Sequence, residues 1–585
     1  MGYTPHVLVI GGGSTGTGVA RDLAMRGLEV TLVEAGTLTA GTTGRMHGLL
    51  HSGARYANAD PATAQQCIAE NRTLREIAGH CVEDTGGLFV QLSGDDPDYL
   101  EAKQEACEDC GIPVERLSGE AAREREPALA PETEAALAVP DAAVDPFRLT
   151  VANAAAAMNH GASIETHTRV VGVERSDEAV DAVRVRRDPP DVGGGAPTQI
   201  EDLEADYVVN ATGPWADDIA NTAGFEVDLT HSKGAMVMQH YEAIDTVVNR
   251  CRPKGEGDIV VPHGEMAILG TTDEPVDGPE DVPEEGREVE FLLEELAEAV
   301  PGVADARTFR SYWGVRPLYD PDADVESVNA EAGDAEAGDA QTVDDPGGVS
   351  RDFTILDHEE RDGVWGITTV VGGKFTTYRR IAEAVADHVC AKFGIDRPCR
   401  TAEVPLPGSE GGAALEDAMD EFDVSSPVHG RGAERLGSRA PDVLDTGDQP
   451  NPVVCECEGV TRAEIQDAIA DETGQAGDLN EVRIRTRASM GTCQGGRCVH
   501  RMAAELHPGE AVRTIDRAAS DLLAERWRGQ RHALWGEQLT QAARNYALHA
   551  TTMNHDRALG DSVEPVEYAR FDPGKEWVED MEEGP

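Results

Sequence analysis

The pattern of apolar and polar positions begins with His6–Ile10, a short apolar run closed by Gly11 that suits a buried parallel strand. Val19–Arg26 has helical composition, and Leu28–Val33 predicts a second strand ending at Glu34. Strand-like runs recur at Ser163–Glu174, Tyr207–Asn210, Asp258–Leu269 and Val364–Val371, the last leading into a helix over Ile381–Phe393. Mixed strands and helices over residues 1–400 predict an α/β domain carrying an inserted second domain. Three stretches break the pattern. Residues 187–198 are rich in Asp, Pro and Gly. Residues 320–348 are acidic and nearly free of large apolar groups, which predicts a surface loop. Residues 408–451 are polar and spotted with Pro and Gly, and predict a linker. A cysteine-bearing module over 452–505 follows, then a helix-rich tail, 506–585, that ends in acidic residues.

The 585 residues carry 50 Lys and Arg against 109 Asp and Glu, a net charge of −59, and only six of the basic residues are Lys. Such a surface repels nucleic acid and anionic lipid, so neither is expected as a broad-surface partner. It suits very high salt, where the Debye length falls to about 3 Å. The composition resembles that of a haloarchaeal cytoplasmic protein, the alternative being an acidic mesophile protein. No run approaches the roughly 18 apolar residues needed to cross a bilayer. The N-terminus goes straight into a strand, and His6 stands where a myristoylation signal needs Ser or Thr. These features predict a soluble, intracellular chain. Eleven cysteines in that setting argue against a disulfide framework.

Candidate chemistry starts at Gly11-Gly12-Gly13-Ser14-Thr15-Gly16, a G-x-G-x-x-G loop between strand and helix. Its glycines permit a tight turn and close approach to a pyrophosphate at the helix N-terminus, and Glu34 stands where a carboxylate can accept from ribose hydroxyls. NAD and FAD both use such a loop. Gly41–Ala57, "GTTGRMHGLLHSGARYA", resembles the flavin-proximal segment of the FAD-dependent glycerol-3-phosphate dehydrogenases. Three further segments resemble the same family over roughly residues 5–400: Asn210–Ala216 ("NATGPWA"), Tyr312–Leu318 ("YWGVRPL") and Val370–Arg379 ("VVGGKFTTYR"). The resemblance implies a Rossmann-type FAD-binding domain with an inserted α+β substrate domain, D-amino-acid-oxidase-like, plus a small helical cysteine-cluster domain. It implies that FAD lies against Gly11, Gly13, Ser14, Thr15, Gly16, Glu34, Thr42, Thr43, Gly44, His47, Gly48, Leu49, Thr212, Gly213, Trp215, Gly373, Lys374 and Thr376.

Oxidising sn-glycerol 3-phosphate requires holding a phosphate dianion, which favours Arg forks and a Lys point charge. It also requires moving a hydride from C2 to the flavin while the C2 hydroxyl loses its proton. By the resemblance, Arg55, Tyr56, Arg316, Arg351 and Lys374 bind substrate. His51, Arg316 and Lys374 are the catalytic candidates, with His51 as base; a histidine that only hydrogen-bonds the cofactor or backbone is the alternative. Lys233-Gly234 resembles a family Lys-Gly turn, but Ala235 and Met236 stand where some relatives carry a histidine.

Cys455, Cys457, Cys493 and Cys498 form the pattern C-x-C…C-x4-C. Disulfide, zinc and iron–sulfur are the possible uses. The spacing is less usual for zinc, which often takes C-x2-C pairs, and all-thiolate [2Fe–2S] ligation needs four cysteines. "CECEGVTRAEIQDAI" followed by "RTRASMGTCQGGRC" resembles the bacterioferritin-associated ferredoxin-like module, which binds [2Fe–2S]. Thr461 and Glu464 form a capping-box signature at the start of its first helix. The same module closes the catalytic subunit of the anaerobic dehydrogenases of this family. The resemblance therefore implies FAD and a [2Fe–2S] cluster as cofactors, with zinc as the alternative in the module. It implies subunits B and C as partners, a quinone reached through them, and a cytoplasmic chain peripheral to the inner face of the membrane. The rival reading is a related FAD enzyme acting on a 2-hydroxy acid or amine, with zinc in the module.

Overall fold

The computed structural model describes residues 3–187, 199–253, 255–280, 282–319, 353–411, 427–470, 477–510 and 512–552. The acidic stretch at 320–348, Arg351 and the end of the acidic tail lie outside these residues.

The N-terminal run forms the centre of a six-stranded sheet. Its order is Phe353–Asp357, Ile367–Gly372, Tyr207–Asn210, His6–Ile10, Glu29–Val33, Ser163–Glu165. Five strands are parallel, and Phe353–Asp357 pairs antiparallel at one edge. Alternation buries both faces. Val7 and Val9 pack on Val19, Leu23, Val385 and Val389, from the helices Ser14–Met25 and Tyr378–Lys392. Leu8 and Ile10 face Ala220 and Phe225 on the other side. The first helix starts at Ser14 rather than Val19, because the glycine turn leads directly into it. Ser163–Glu174 is not one strand. It divides into Ser163–Glu165 and Thr168–Arg175, with His167 between them at φ 53°.

The inserted domain is a nine-stranded mixed sheet. Its longest pair joins Leu229–His240 to Arg307–Tyr319, antiparallel. The period of two assigns roles along both strands. Ala235, Val237 and Trp313 pack on Val289, Leu292 and Leu296 of the helix Gly286–Ala299. Gly234, Met236, Gly314 and Arg316 point the opposite way, into a cavity. Lys233-Gly234 is thus strand interior, not a turn. Lys233 lies on the helix side, where its Nζ meets Glu288 (2.8 Å), Glu274 (3.0 Å) and Glu285 (3.5 Å). Asp258–Leu269 forms two strands, Ile259–His263 and Met266–Gly270, paired as a hairpin.

The cysteine module is helical, with Arg462–Ala470, Leu479–Thr486 and Val499–Leu506 around a core of Val454, Ile465, Val482 and Met502. The capping box is formed: Thr461 N–H donates to Glu464 Oε2 (2.8 Å), and Glu464 N–H reaches back to Thr461 Oγ1 (3.5 Å). Two expected boundaries change. Within the expected linker, Pro427–Leu436 and Ala440–Leu444 are helices, and Arg435 of the first donates to Glu464 of the module (2.6 Å). The tail's helix Val512–Gln530 belongs to the module core through Ala519, Leu522 and Leu523.

Candidate active site and cysteine centre

The glycine loop is fixed by close backbone approach. A Cβ added to Gly11, at φ 112°, would lie 2.6 Å from Ala211 O, and one on Gly16 would lie 1.9 Å from Gly11 O. Both positions therefore require glycine, and the turn delivers the N-terminus of the helix Ser14–Met25 to a cavity of about 680 Å³. Glu34 is held at the cavity by two backbone donors, Gly12 N–H (2.7 Å) and Gly36 N–H (2.8 Å). Burial pushes its carboxyl up, and these two bonds oppose the shift. Thr43 Oγ1 accepts from Ser14 N–H (3.1 Å), tying the 42–45 turn to the helix start.

The same cavity is lined by Arg55, Tyr56, His51, Arg316 and Lys374. It therefore brings together the dinucleotide loop and every described substrate candidate. Arg316 projects from its strand to an oxygen-rich corner. Its Nη2 donates to Thr272 O (2.9 Å) and Thr271 Oγ1 (3.1 Å), and its Nη1 to Ser232 Oγ (3.1 Å) and Asp273 Oδ1 (3.3 Å). Lys374 follows Gly372 and Gly373, both at positive φ, and extends to Thr63 Oγ1 (3.3 Å). Its Nζ lies 5.0 Å from the Tyr56 ring centroid, a cation–π distance. The His51 ring meets that tyrosine edge-on, with centroids 5.5 Å apart. Its backbone N–H donates to Thr376 Oγ1 (3.2 Å), and Asn71 Nδ2 donates to its carbonyl (3.3 Å). Arg55 is anchored by Asp258 (3.2 Å), a buried carboxylate that also takes Arg252 (3.0 Å).

Of the cofactor candidates, Gly11, Gly13, Ser14, Thr15, Glu34, Thr42, Thr43, His47, Leu49, Thr212, Gly213, Trp215, Gly373, Lys374 and Thr376 line this cavity. Gly16 acts from behind the loop. Gly44 and Gly48 line a second cavity on the far side of the 42–48 segment. Asn71, Asp258 and the Thr271–Asp273 corner are not apparent from the sequence. Each acts through contacts with residues distant in the chain, and no local motif marks them.

The four cysteines converge in the module. Cys455 and Cys498 are buried, and Cys457 and Cys493 are half-buried at the edge of a third cavity. Hydrogen bonding from Cys493 pulls the Cys457 thiol down, against burial. Ser489 N–H points at Cys455 Sγ (3.5 Å), and Thr492 Oγ1 lies 3.9 Å from Cys457 Sγ. Gly491 is needed here, since a Cβ on it would lie 2.6 Å from Cys457 Cβ. Four thiols backed by N–H and O–H donors fit a thiolate-bound cluster. The glycine turn, the helix start and Glu34 fit a dinucleotide.

These features define a flavin-dependent oxidoreductase with an attached iron–sulfur module. Known proteins agree with that class. Residues 6–387 match the FAD dependent oxidoreductase family, and residues 453–507 match the BFD-like [2Fe-2S] binding domain. The chain is similar to the A1 subunit of the anaerobic glycerol-3-phosphate dehydrogenase of Haloferax volcanii, at 56% identity over 98% of this chain and 95% of that one. It is also similar to the A subunit of the anaerobic glycerol-3-phosphate dehydrogenase of Escherichia coli (strain K12), at 40% identity over 92% and 94%. A solved glycerol-3-phosphate dehydrogenase from Bacillus halodurans, complexed with FAD, shares the fold with a TM-score of 0.65 and 21% identity, over 91% of this chain and 96% of that one. The chain belongs to the FAD-dependent oxidoreductases, in the family formed by the A subunits of the anaerobic glycerol-3-phosphate dehydrogenases.

Proposed function

We propose that the chain oxidises sn-glycerol 3-phosphate to dihydroxyacetone phosphate in glycerol catabolism, as a glycerol-3-phosphate dehydrogenase (quinone). The observation that carries this reading is the single cavity in which Arg316, Lys374, Arg55, His51 and Tyr56 face the dinucleotide loop. Bound FAD supplies a two-electron acceptor, and a bound [2Fe–2S] cluster a one-electron exit.

Lys374 holds the phosphate dianion as a point charge, and Arg316, fixed in its oxygen-rich corner, adds positive charge facing it. Tyr56 packs beside Lys374 and presents a hydroxyl to the substrate. Arg55, fixed by Asp258, adds positive charge at the cavity wall. His51 takes the C2 hydroxyl proton, and its main chain is fixed from both sides by Thr376 and Asn71. The cations also stabilise the alkoxide that develops at C2. Arg351 completes the substrate set in this reading. Cys455, Cys457, Cys493 and Cys498 ligate the cluster. Electrons then pass to subunits B and C and to a quinone, with the chain held at the inner membrane face by those partners. Among the described residues no helix is long and apolar enough to cross a membrane, so contact through partners is consistent with that placement.

The test is dye reduction by the purified, FAD-loaded chain. Glycerol 3-phosphate should support turnover, and 2-hydroxyglutarate and sarcosine should not. A preference for either of the latter would overturn the substrate assignment.

A further inference from the structure

A second cavity, of about 260 Å³, lies between the flavin-proximal segment and the cysteine module. Ala40, Arg45 and Met46 line both this cavity and the larger one, so the 40–48 segment is their shared wall. The opposite wall comes from the module (Arg483, Arg487) and from the helix Val512–Gln530 (Glu525, Arg526). Neither the substrate chemistry nor the cysteine centre uses this space.

Its charge is out of keeping with the chain. Five arginines line it, Arg45, Arg310, Arg483, Arg487 and Arg526, against two carboxylates, Asp145 and Glu525. Arg310 and Arg526 are buried, Arg483 and Arg487 half-buried, and Arg45 closes the exposed side, so cationic side chains outnumber the lining carboxylates in a protein of net charge −59, with Glu458 outside the lining also taking Arg487 (3.1 Å). Both carboxylates are already engaged. Asp145 takes Arg487 (2.8 Å) and Arg148 (3.2 Å), and Glu525 takes Arg310 (2.7 Å). Arg526 is 3% exposed, its Nη1 lies 3.5 Å from Glu525, and its buried Nε has no hydrogen-bond partner among the described residues. Burial pushes the Arg526 guanidinium down, Arg310 and Arg483 push in the same direction, and Glu525 opposes them. An arginine does not relieve such a position by losing its proton. A buried cation with too little counter-charge is costly, and a polyvalent anion offsets that cost while accepting several N–H groups at once.

We propose that this cavity is a binding site for a phosphate-class oxyanion, free or as a small monoester, held by Arg45, Arg310, Arg483 and Arg526. The site is separate from the substrate position. Its ligand bridges the 40–48 segment and the cysteine module, so occupancy stabilises the docked module. Phe147, Met238 and Met266 give the cavity an apolar side that suits the organic part of a monoester.

Equilibrium dialysis of the FAD-loaded full chain against radiolabelled inorganic phosphate tests this, with Arg316→Met as background to suppress the substrate position. One equivalent should remain bound in that background. Adding R483M and R526M should weaken it by about tenfold or more, the scale of losing charge-assisted hydrogen bonds. Displacement of the label by glycerol 2-phosphate would identify a monoester site, and failure to displace it a free-phosphate site. Unchanged binding in the triple variant would overturn the proposal. Removing buried Arg526 and half-buried Arg483 can also unfold a chain, so crystals of the unsubstituted protein soaked in tungstate supply a second readout. A tungsten anomalous peak within reach of Arg526 is expected. A peak at the substrate position alone, or none, contradicts the site.

Discussion

Arg316 depends on a residue that contributes no side chain. A Cβ on Gly234 would lie 2.4 Å from both Arg316 Nη2 and Thr271 Oγ1, so the glycine opens the space the guanidinium fills. Two substitutions should therefore converge. Arg316→Met should lower kcat/KM for glycerol 3-phosphate by about 10- to 100-fold, the scale of a charged hydrogen-bonding group worth roughly 1.5–3 kcal/mol. Gly234→Ala should impair the same parameter by displacing the arginine, with the flavin retained. Steady-state kinetics on both variants checks this, and a Gly234→Ala enzyme with wild-type kcat/KM would separate the glycine from the site. At this scale the sequence is informative where chemistry and local motif coincide. The placement of Lys374, after two glycines, and of His51 and Tyr56, in the flavin-proximal segment, at the cavity wall is legible. The role of Gly234 is not, because its partner is 82 positions away and only strand alternation puts the two on one face.

Among elements, the docking of the cysteine module is held by Arg487. Its Nη1 pairs with Asp145 (2.8 Å), the N-cap of the helix Pro146–Asn159, and its Nε with Glu458 beside the cysteines (3.1 Å). The arginines hold the Asp145 carboxyl well below the usual carboxylate range, although burial opposes them. A depressed folded value means that this stabilisation is present above the unfolded pKa, about 3.9, and is lost as pH falls through the lower folded value. Arg487→Met removes one of the two arginines on Asp145, leaving Arg148 (3.2 Å), and should cost about 1.5–3 kcal/mol near neutral pH, the scale of a hydrogen bond to a charged group. It should also flatten the acid limb of stability, which denaturant midpoints followed from pH 6 to 3 would show. Thr461→Ala should cost about 1 kcal/mol by removing the capping box. That cap is readable from four consecutive residues. The helices at 427–444 are not, because they are short and polar on average, and what orders them is a small core of Ala433, Ala440 and Leu444 together with the pair of Arg435 and Glu464 on the module.

For the whole molecule, the surplus of carboxylates sets the working conditions. Screening shortens the Debye length from about 10 Å at 0.1 M salt to about 3 Å at 1 M. The thermal midpoint should therefore rise steadily with potassium chloride into the molar range, and a midpoint independent of salt would count against self-repulsion as the dominant surface term. The two-domain flavin architecture is legible because the glycine loop and its strands are local. The nine-stranded sheet is largely hidden, since Leu229–His240 and Arg307–Tyr319 pair across a long intervening stretch of chain. The proposed reaction joins the two halves of the chain, with substrate oxidised in the large cavity and electrons leaving through the four cysteines. Anaerobic titration of the reconstituted protein with glycerol 3-phosphate in molar salt, read together by flavin absorbance and electron paramagnetic resonance, tests both halves at once. Bleaching of the flavin band with the appearance of a reduced [2Fe–2S] signal is the expected result. A flavin that stays oxidised, or one that bleaches in protein containing zinc and no iron, would contradict the account.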